Sequence, residues 1–159
     1  MARPIPKRAW RLAYSAVVAE LQGRLADSEI ERQAATAALA AFVADVRLYE
    51  SQGGVVPQQD TIKIATAGVT QGDLLARAGE GERASEAWQA AAERIRPIAE
   101  HLNPSAMTQL GQLDFRLGKI QDARAWAEKV LRTTYRHPAF ADLQQRLGPT
   151  QQAGGAARP

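Results

Sequence analysis

Apolar residues recur at steps of three and four positions along most of this chain. The first such series is Trp10, Ala13, Val17, Leu21 and Leu25, which gives one apolar face to a helix of about five turns. Runs that alternate apolar and polar residues, as half-buried strands do, are almost absent. The pattern therefore predicts an all-α fold.

A second helix is predicted to begin at Ser28. Glu31 stands three residues later, the spacing of a capping box, in which two side chains accept hydrogen bonds from free backbone N–H groups of the first turn. The helix is expected to stop at Gly53 and Gly54, where the chain can turn at little cost. The first two helices are therefore predicted to form a hairpin. The expected inward-facing residues of the second helix are Ile30, Ala34, Ala38, Leu39, Phe42, Val46 and Tyr49.

Five more helices are predicted after this hairpin. Pro97 is expected to end or kink the fourth helix near Arg96, because proline lacks the N–H that a helix interior uses. Gly68 and Gly72, one turn apart in the third helix, are expected to contact a neighbouring helix closely. The predicted spans are Asp60 (as N-cap) to Ala78, Glu82 to Ile95, Asn103 and Pro104 to Leu117, Gln121 to Thr133, and a short helix from Pro138 that holds Phe140, Leu143 and Leu147.

These helices are assigned to one domain, residues 1–147, followed by a tail. The tail, residues 148–159, reads GPTQQAGGAARP and is predicted to be disordered because it lacks apolar periodicity. Within the domain, the predicted parts are an N-terminal hairpin at about 9–53, a first repeat unit at 60–102, a second unit at 104–137 and a capping helix at 138–147.

Two stretches of the chain repeat one another 39 residues apart. AGEGERASEAWQAAA contains Gly79 and Ala84, and LGKIQDARAWAEKVL contains Gly118 and Ala123 at the matching places. Each glycine interrupts an alanine-rich helical pattern. A glycine that recurs between two helix-forming runs predicts a recurring turn between two antiparallel helices.

The segment from about 65 to 138 resembles the tetratricopeptide repeats, a family of helix-turn-helix units of 34 residues. In the second unit the matching residues are Met107, Leu110, Gly111, Gly118, Ala123 and Ala127; in the first they are Gly72, Gly79, Ala84 and Trp88. Gln71 replaces the expected Leu, Asp114 replaces the usual Tyr, and the closing prolines are displaced to Pro97 and Pro138. The repeat is also longer than the family's.

The resemblance implies a stack of antiparallel hairpins forming a right-handed superhelical segment with a concave groove. The ending KVLRTTYRHPAFADL is similar, more loosely, to helical-repeat regions at the C-termini of some bacterial serine/threonine kinases and transcriptional regulators. That second resemblance implies a regulatory appendage, although no residue here indicates a kinase.

The first helix of each unit lines the groove in this family, which places Asp73, Arg77, Thr108, Gln112, Phe115 and Arg116 on the predicted partner-binding surface. Arg77 and Arg116 occupy equivalent positions. The two guanidinium groups could bind one acidic peptide together. Alternatively, each arginine only stabilises the negative end of its own helix.

Composition and motifs argue against catalysis. The chain has no cysteine, and His101 and His137 are isolated from each other and from clustered carboxylates, so no metal site or cofactor is predicted. No nucleophile-elbow or phosphate-loop motif occurs.

Charge and hydropathy argue against two further classes of protein. The net charge is only +3, and the sequence does not indicate the concentrated basic surface of a nucleic-acid-binding protein. No apolar run approaches the roughly 18 residues of a membrane span, and the compartment stays open.

The function predicted from the sequence is protein–protein interaction or scaffolding through the groove, without catalysis and without cofactor. The expected partner is another protein or peptide, of acidic character if Arg77 and Arg116 act together. The alternative is a regulatory or sensory appendage of a bacterial signalling protein that works by forming a homodimer, with the alanine-rich faces of the first two helices as its contact surface. A basic nucleic-acid adaptor is a third, less favoured hypothesis.

Overall fold

The computed structural model describes residues 2–149, and within them the chain is helical without any strand. The all-α prediction is therefore confirmed. The predicted disordered tail lies almost wholly outside the described residues. The described range contains seven helices: α1 (Lys7–Leu21), α2 (Glu29–Ser51), α3 (Gln58–Arg77), α4 (Gly81–Glu100), α5 (Pro104–Arg116), α6 (Ile120–Leu131) and α7 (Pro138–Leu147).

The helix starts follow from local side-chain chemistry. Ser28 accepts a hydrogen bond from the Glu31 backbone N–H (3.2 Å) at the start of α2, and Asn103 caps α5 in the same way by accepting from Ala106 (3.0 Å). The prediction that Asp60 caps α3 is wrong, because α3 begins at Gln58 and Asp60 lies inside its first turn. A carboxylate there still faces the positive end of the helix dipole.

The expectation that α4 ends near Arg96 is also wrong. The helix continues through Pro97 to Glu100. Ile95 and Ala99 are fully buried in the same core as α5, and this burial outweighs the hydrogen bond that proline removes. The chain leaves the helix at Leu102, a non-glycine residue with a left-handed φ of 62°.

The helices pair as three successive hairpins, α1–α2, α3–α4 and α5–α6. Each hairpin packs on the next, through α2 on α3 and α4 on α5, and α7 covers α5 and α6 at the far end. Gly79 and Gly118 stand at the turns of the second and third hairpins with φ values of 81° and 77°. Such dihedrals favour glycine, so the recurring glycines are the predicted turns.

Close contact inside the second hairpin depends on Gly68 and Gly72, as predicted. A Cβ atom on Gly68 would lie 2.8 Å from the Cβ of Ala91, and one on Gly72 would overlap the indole of Trp88. Both neighbours belong to α4. The absence of side chains on one face of α3 therefore lets the two helices approach.

Helix α3 is shared by two hydrophobic cores. The first lies among α1, α2 and α3, and receives Ile64, Ala67 and Leu74 from α3. The second extends from α3 to α7 and receives Ala65. Three residues predicted to face inward do not: Leu21 and Ile30 are each 80% exposed, and Ala34 is exposed as well. Helix α1 ends at Leu21, and Ile30 and Ala34 lie on the outer side of α2.

Candidate functional site

Helices α1, α3 and α5 lie side by side on one face of the stack and run in the same direction. Trp10, early in α1, lies near Lys63, early in α3, while Glu20 and Arg77 meet at the ends of the same two helices. Every residue of the predicted groove belongs to α3 or α5. We call this surface the α1–α3–α5 face.

Arg116 is held by an internal carboxylate on this face. Its Nε and one terminal nitrogen donate to the two carboxylate oxygens of Asp73, at 2.6 and 2.9 Å. The other terminal nitrogen donates to the backbone oxygen of Gln112 (3.1 Å). Asp73 also accepts a hydrogen bond from the indole N–H of Trp88 (3.1 Å). The pair therefore closes the seam between α3 and α5 rather than facing a partner.

Arg77 is likewise held by a carboxylate, which lies on the first helix of the preceding hairpin. Both of its terminal nitrogens donate to the carboxylate of Glu20 on α1. The structure thus does not bring Arg77 and Arg116 together as a joint anion clamp. The physical reason is that the first helix of the preceding hairpin places a carboxylate opposite each guanidinium. The apolar pattern of a single helix does not reveal such a contact.

The other predicted groove residues also make internal contacts. The Thr108 side chain is buried, and its hydroxyl donates to the backbone oxygen of Pro104 (2.8 Å). Gln112 donates to the backbone oxygen of Ala139 in α7 (3.0 Å). Phe115 is partly buried against the second core. Between α3 and α5 the predicted groove is therefore largely closed.

The seam between α1 and α3 is different, because it contains an open cavity of about 170 Å³. Phe42 of α2 forms part of its wall and packs edge-on against Trp10, with ring centroids 4.8 Å apart. Tyr14, also on the wall, is 72% exposed. The lining residues are Trp10, Ala13, Tyr14, Val17, Phe42, Lys63, Thr66 and Ala67. We call this space the α1–α3 cavity.

Polar groups are sparse in the α1–α3 cavity. The Thr66 hydroxyl donates to the backbone oxygen of Ile62 within its own helix (3.1 Å), so its hydrogen is not free for a ligand. Within residues 2–149, Lys63 forms only a long ion pair, with Asp60 (3.7 Å), and its side chain is 67% exposed. The cavity is consequently an apolar space with a cation at its edge.

The sequence pattern missed this cavity. The apolar series of α1 predicts that Trp10 and Val17 face the core, and nothing in the pattern distinguishes Lys63 from other exposed lysines. Two small residues from neighbouring helices, Ala13 and Ala67, line the cavity, while Trp10 and Tyr14 stand one helical turn apart. Whether small and large residues face one another across a seam depends on helix packing, which the sequence does not show.

Asp114 is buried at the centre of the third hairpin, away from this cavity. Its side chain is 1% exposed, and within residues 2–149 neither carboxylate oxygen has a hydrogen-bond partner. Burial raises the pKa of Asp114. The positive charges of Arg96 and Lys119 counteract the rise in part, the negative charge of Asp122 adds to it, and the polar indole N–H of nearby Trp126 lowers it slightly. Desolvation is the largest of these effects.

Other chemistry is limited in the described part of the chain. Residues 2–149 contain no group of three or more His, Asp or Glu side chains placed to hold a metal ion. None of the helices from α1 to α7 combines the length and apolar character needed to cross a membrane. Comparisons of the chain with protein-family models, curated proteins and solved structures found no match.

Proposed function

We propose that this protein is a non-catalytic protein-binding module whose contact surface is the α1–α3–α5 face. The observation that carries the proposal is the open, apolar α1–α3 cavity on that face. Apolar spaces with a few polar groups at the edge are typical of binding sites. The turns at Gly79 and Gly118 and the stacking of hairpins are also consistent with the resemblance to tetratricopeptide repeats, whose members bind partners on this side.

Affinity capture with three forms of the purified protein tests this function. The wild type is compared with Tyr14→Glu, which places a charge beside the cavity, and with Gln89→Glu, which introduces the same side chain at an exposed position of α4. We expect a binding protein from the source lysate to be retained by wild type and Gln89→Glu and lost by Tyr14→Glu. Circular dichroism must show that all three forms fold alike.

Equal retention by the three forms would remove the α1–α3–α5 face as the contact surface. Failure of the wild type to retain any protein above the level of a bare matrix would count against the binding function itself. The two results are distinguishable because the Gln89→Glu control reports on surface charge alone.

Self-association is a second candidate function, favoured by one face of α2. Its residues recur at alternating steps of four and three, the spacing of a helix that packs along a partner helix. Ile30 and Leu48, at the two ends, are 80% and 52% exposed. The full series is Ile30, Ala34, Ala37, Ala41, Ala44 and Leu48, all of them exposed.

Light scattering over a range of concentrations tests the self-association. If α2 mediates a dimer, the wild type and Gln89→Glu should approach twice the 17.2 kDa monomer mass, and Ala41→Glu should stay at the monomer mass. A monomeric wild type at high concentration would end this candidate without affecting the α1–α3–α5 face.

A further inference from the structure

The size of the α1–α3 cavity restricts what can enter it. A closed apolar cavity of about 150 Å³ accepts one benzene molecule, and this cavity measures about 170 Å³. One aromatic ring or one large aliphatic side chain therefore fits. The cavity is open to solvent, and Tyr14 on its wall is 72% exposed, so the occupant can remain attached to a chain that continues across the α1–α3–α5 face.

The walls of the cavity select an apolar group. Ala13, Val17 and Ala67 are buried, and Trp10 and Phe42 already form an edge-on aromatic pair to which a further ring can add. A polar group that entered would exchange water for walls with few hydrogen-bonding atoms, which costs free energy.

The charges around the cavity select the flanking residues of the occupant. Lys63 is part of the lining. Lys7 and Arg11 are exposed on the first two turns of α1, one turn from the cavity residues Trp10 and Tyr14 respectively. The same part of α1 has no acidic residue in its first turn, and Asp60 offsets only one of the three cations. An acidic sequence is the electrostatic complement of this rim.

We infer that the α1–α3 cavity binds one aromatic or large aliphatic side chain of a partner peptide whose flanking residues are acidic. This inference rests on the proposed function and specifies its partner. Affinity comes from burial of the apolar side chain, while orientation and choice of partner come from the cations around it.

Three blocked peptides test the inference on the full-length protein: Glu-Asp-Phe-Asp-Glu, the same peptide with Ala for Phe, and Lys-Lys-Phe-Lys-Lys. Binding is followed by the NMR signals of the three tryptophan indole N–H groups. Trp10 lines the cavity, whereas Trp88 and Trp126 belong to α4 and α6 and serve as internal controls. We expect the acidic Phe peptide to shift the Trp10 signal alone.

The expected affinity differences are large enough to measure. Burying a Phe side chain is worth about 1.5–3 kcal/mol, so the acidic Phe peptide should bind at least about tenfold more tightly than the Ala peptide. The Lys peptide should bind more weakly than the acidic one. Lys63→Glu leaves two cations and two acidic side chains around the cavity, so it should abolish the difference in affinity between the two Phe peptides. Arg24→Glu, the same charge change in the connection after α1, should preserve it.

Three outcomes would overturn the inference: equal binding of the Phe and Ala peptides, no shift of Trp10 at millimolar peptide, or an unchanged affinity ratio of the two Phe peptides in Lys63→Glu. Retention of a cellular partner by wild type and its loss by Tyr14→Glu, together with any of these outcomes, would leave the proposed function standing without this cavity. Because the Lys63 side chain is 67% exposed, its replacement should leave the fold intact, and circular dichroism of the variant separates loss of binding from loss of fold.

Discussion

Arg116 of α5 forms a two-point ion pair with Asp73 of α3, with nitrogen to oxygen distances of 2.6 and 2.9 Å. The arginine side chain is only 12% exposed and the aspartate side chain 25%. Two parallel hydrogen bonds between a planar guanidinium and a carboxylate fix both distance and orientation. This pair therefore sets how the third hairpin stacks on the second.

The same relationship occurs one hairpin earlier. Arg77 stands 39 residues before Arg116 and pairs with Glu20 of α1. Each arginine reaches back to a carboxylate on the first helix of the preceding hairpin. The repeat thus specifies the stacking contact as well as the turn.

Replacing Arg116 by Ala is expected to destabilise the fold, because it leaves the partly buried Asp73 without its ionic partner. The loss should be about 2 kcal/mol, the scale of a hydrogen-bonded charge pair that is largely shielded from water. Urea unfolding followed by circular dichroism measures it. In a double-mutant cycle, Arg116→Ala together with Asp73→Asn should destabilise the protein by less than the sum of the two single substitutions.

Arg77→Ala is the matched comparison, since the Arg77 side chain is 43% exposed. Solvent screens this pair, so the expected loss is below about 1 kcal/mol. Equal losses at the two positions, or additive effects of Arg116→Ala and Asp73→Asn, would contradict the structural role assigned to the α3–α5 pair.

Gly118→Val is expected to destabilise the protein through the backbone alone. The residue has a φ of 77°, and a Cβ atom there would meet no atom within 4 Å. The cost is therefore the left-handed conformation itself, about 1–2 kcal/mol and more for a β-branched side chain. A fall in the thermal midpoint measures it.

Gly81→Ala is the control for this substitution. Gly81 is the first residue of α4 and also has open space around it, but its φ is not in the left-handed region. Ala there should leave stability unchanged or raise it by up to about 1 kcal/mol. If Gly118→Val and Gly81→Ala had the same effect, the turn at Gly118 would not depend on glycine.

How far the sequence predicts this molecule depends on the range of each contact. Ser28, Asn103, Gly79 and Gly118 act within a few residues of themselves, and the caps and turns predicted from them are confirmed. Arg77 and Arg116 were placed on the correct helices, yet their carboxylate partners lie 57 and 43 residues away and escaped prediction. The predicted end of α4 near Pro97 is wrong for a related reason. The burial of Ala99 is a tertiary contact, and it outweighs the local effect of proline on the helix.

Gly72→Ala is expected to separate α3 from α4. The added methyl group would overlap the Trp88 indole. The N–H of this indole donates hydrogen bonds to the carboxylate of Asp73 (3.1 Å) and to the backbone oxygen of Val69 (3.3 Å). Overpacking of this kind costs about 1–3 kcal/mol. We expect a lower midpoint in urea and a shifted indole N–H signal of Trp88. An unchanged Trp88 signal would show that the two helices are not in close contact there.

Asp114→Asn is expected to stabilise the protein at neutral pH and to remove part of its pH dependence. Because burial raises the folded-state pKa of Asp114 above its ordinary value of 3.8, the folded state holds the proton more tightly than the unfolded state. The stability contributed by the protonated acid is complete below pH 3.8 and is lost as pH rises through the folded-state pKa. Asparagine stays neutral throughout.

The free energies of unfolding of wild type and Asp114→Asn, measured in urea at several pH values from 3.5 to 8, therefore should diverge as pH rises, with the variant becoming the more stable. Taking the difference cancels any pH dependence of stability that the two proteins share. Asp122→Asn, on the exposed side of α6, is the control and should follow wild type far more closely. If Asp114→Asn instead becomes less stable relative to wild type as pH rises, Asp114 is ionised in the folded state and held by Arg96 and Lys119. Its charge then stabilises the third hairpin.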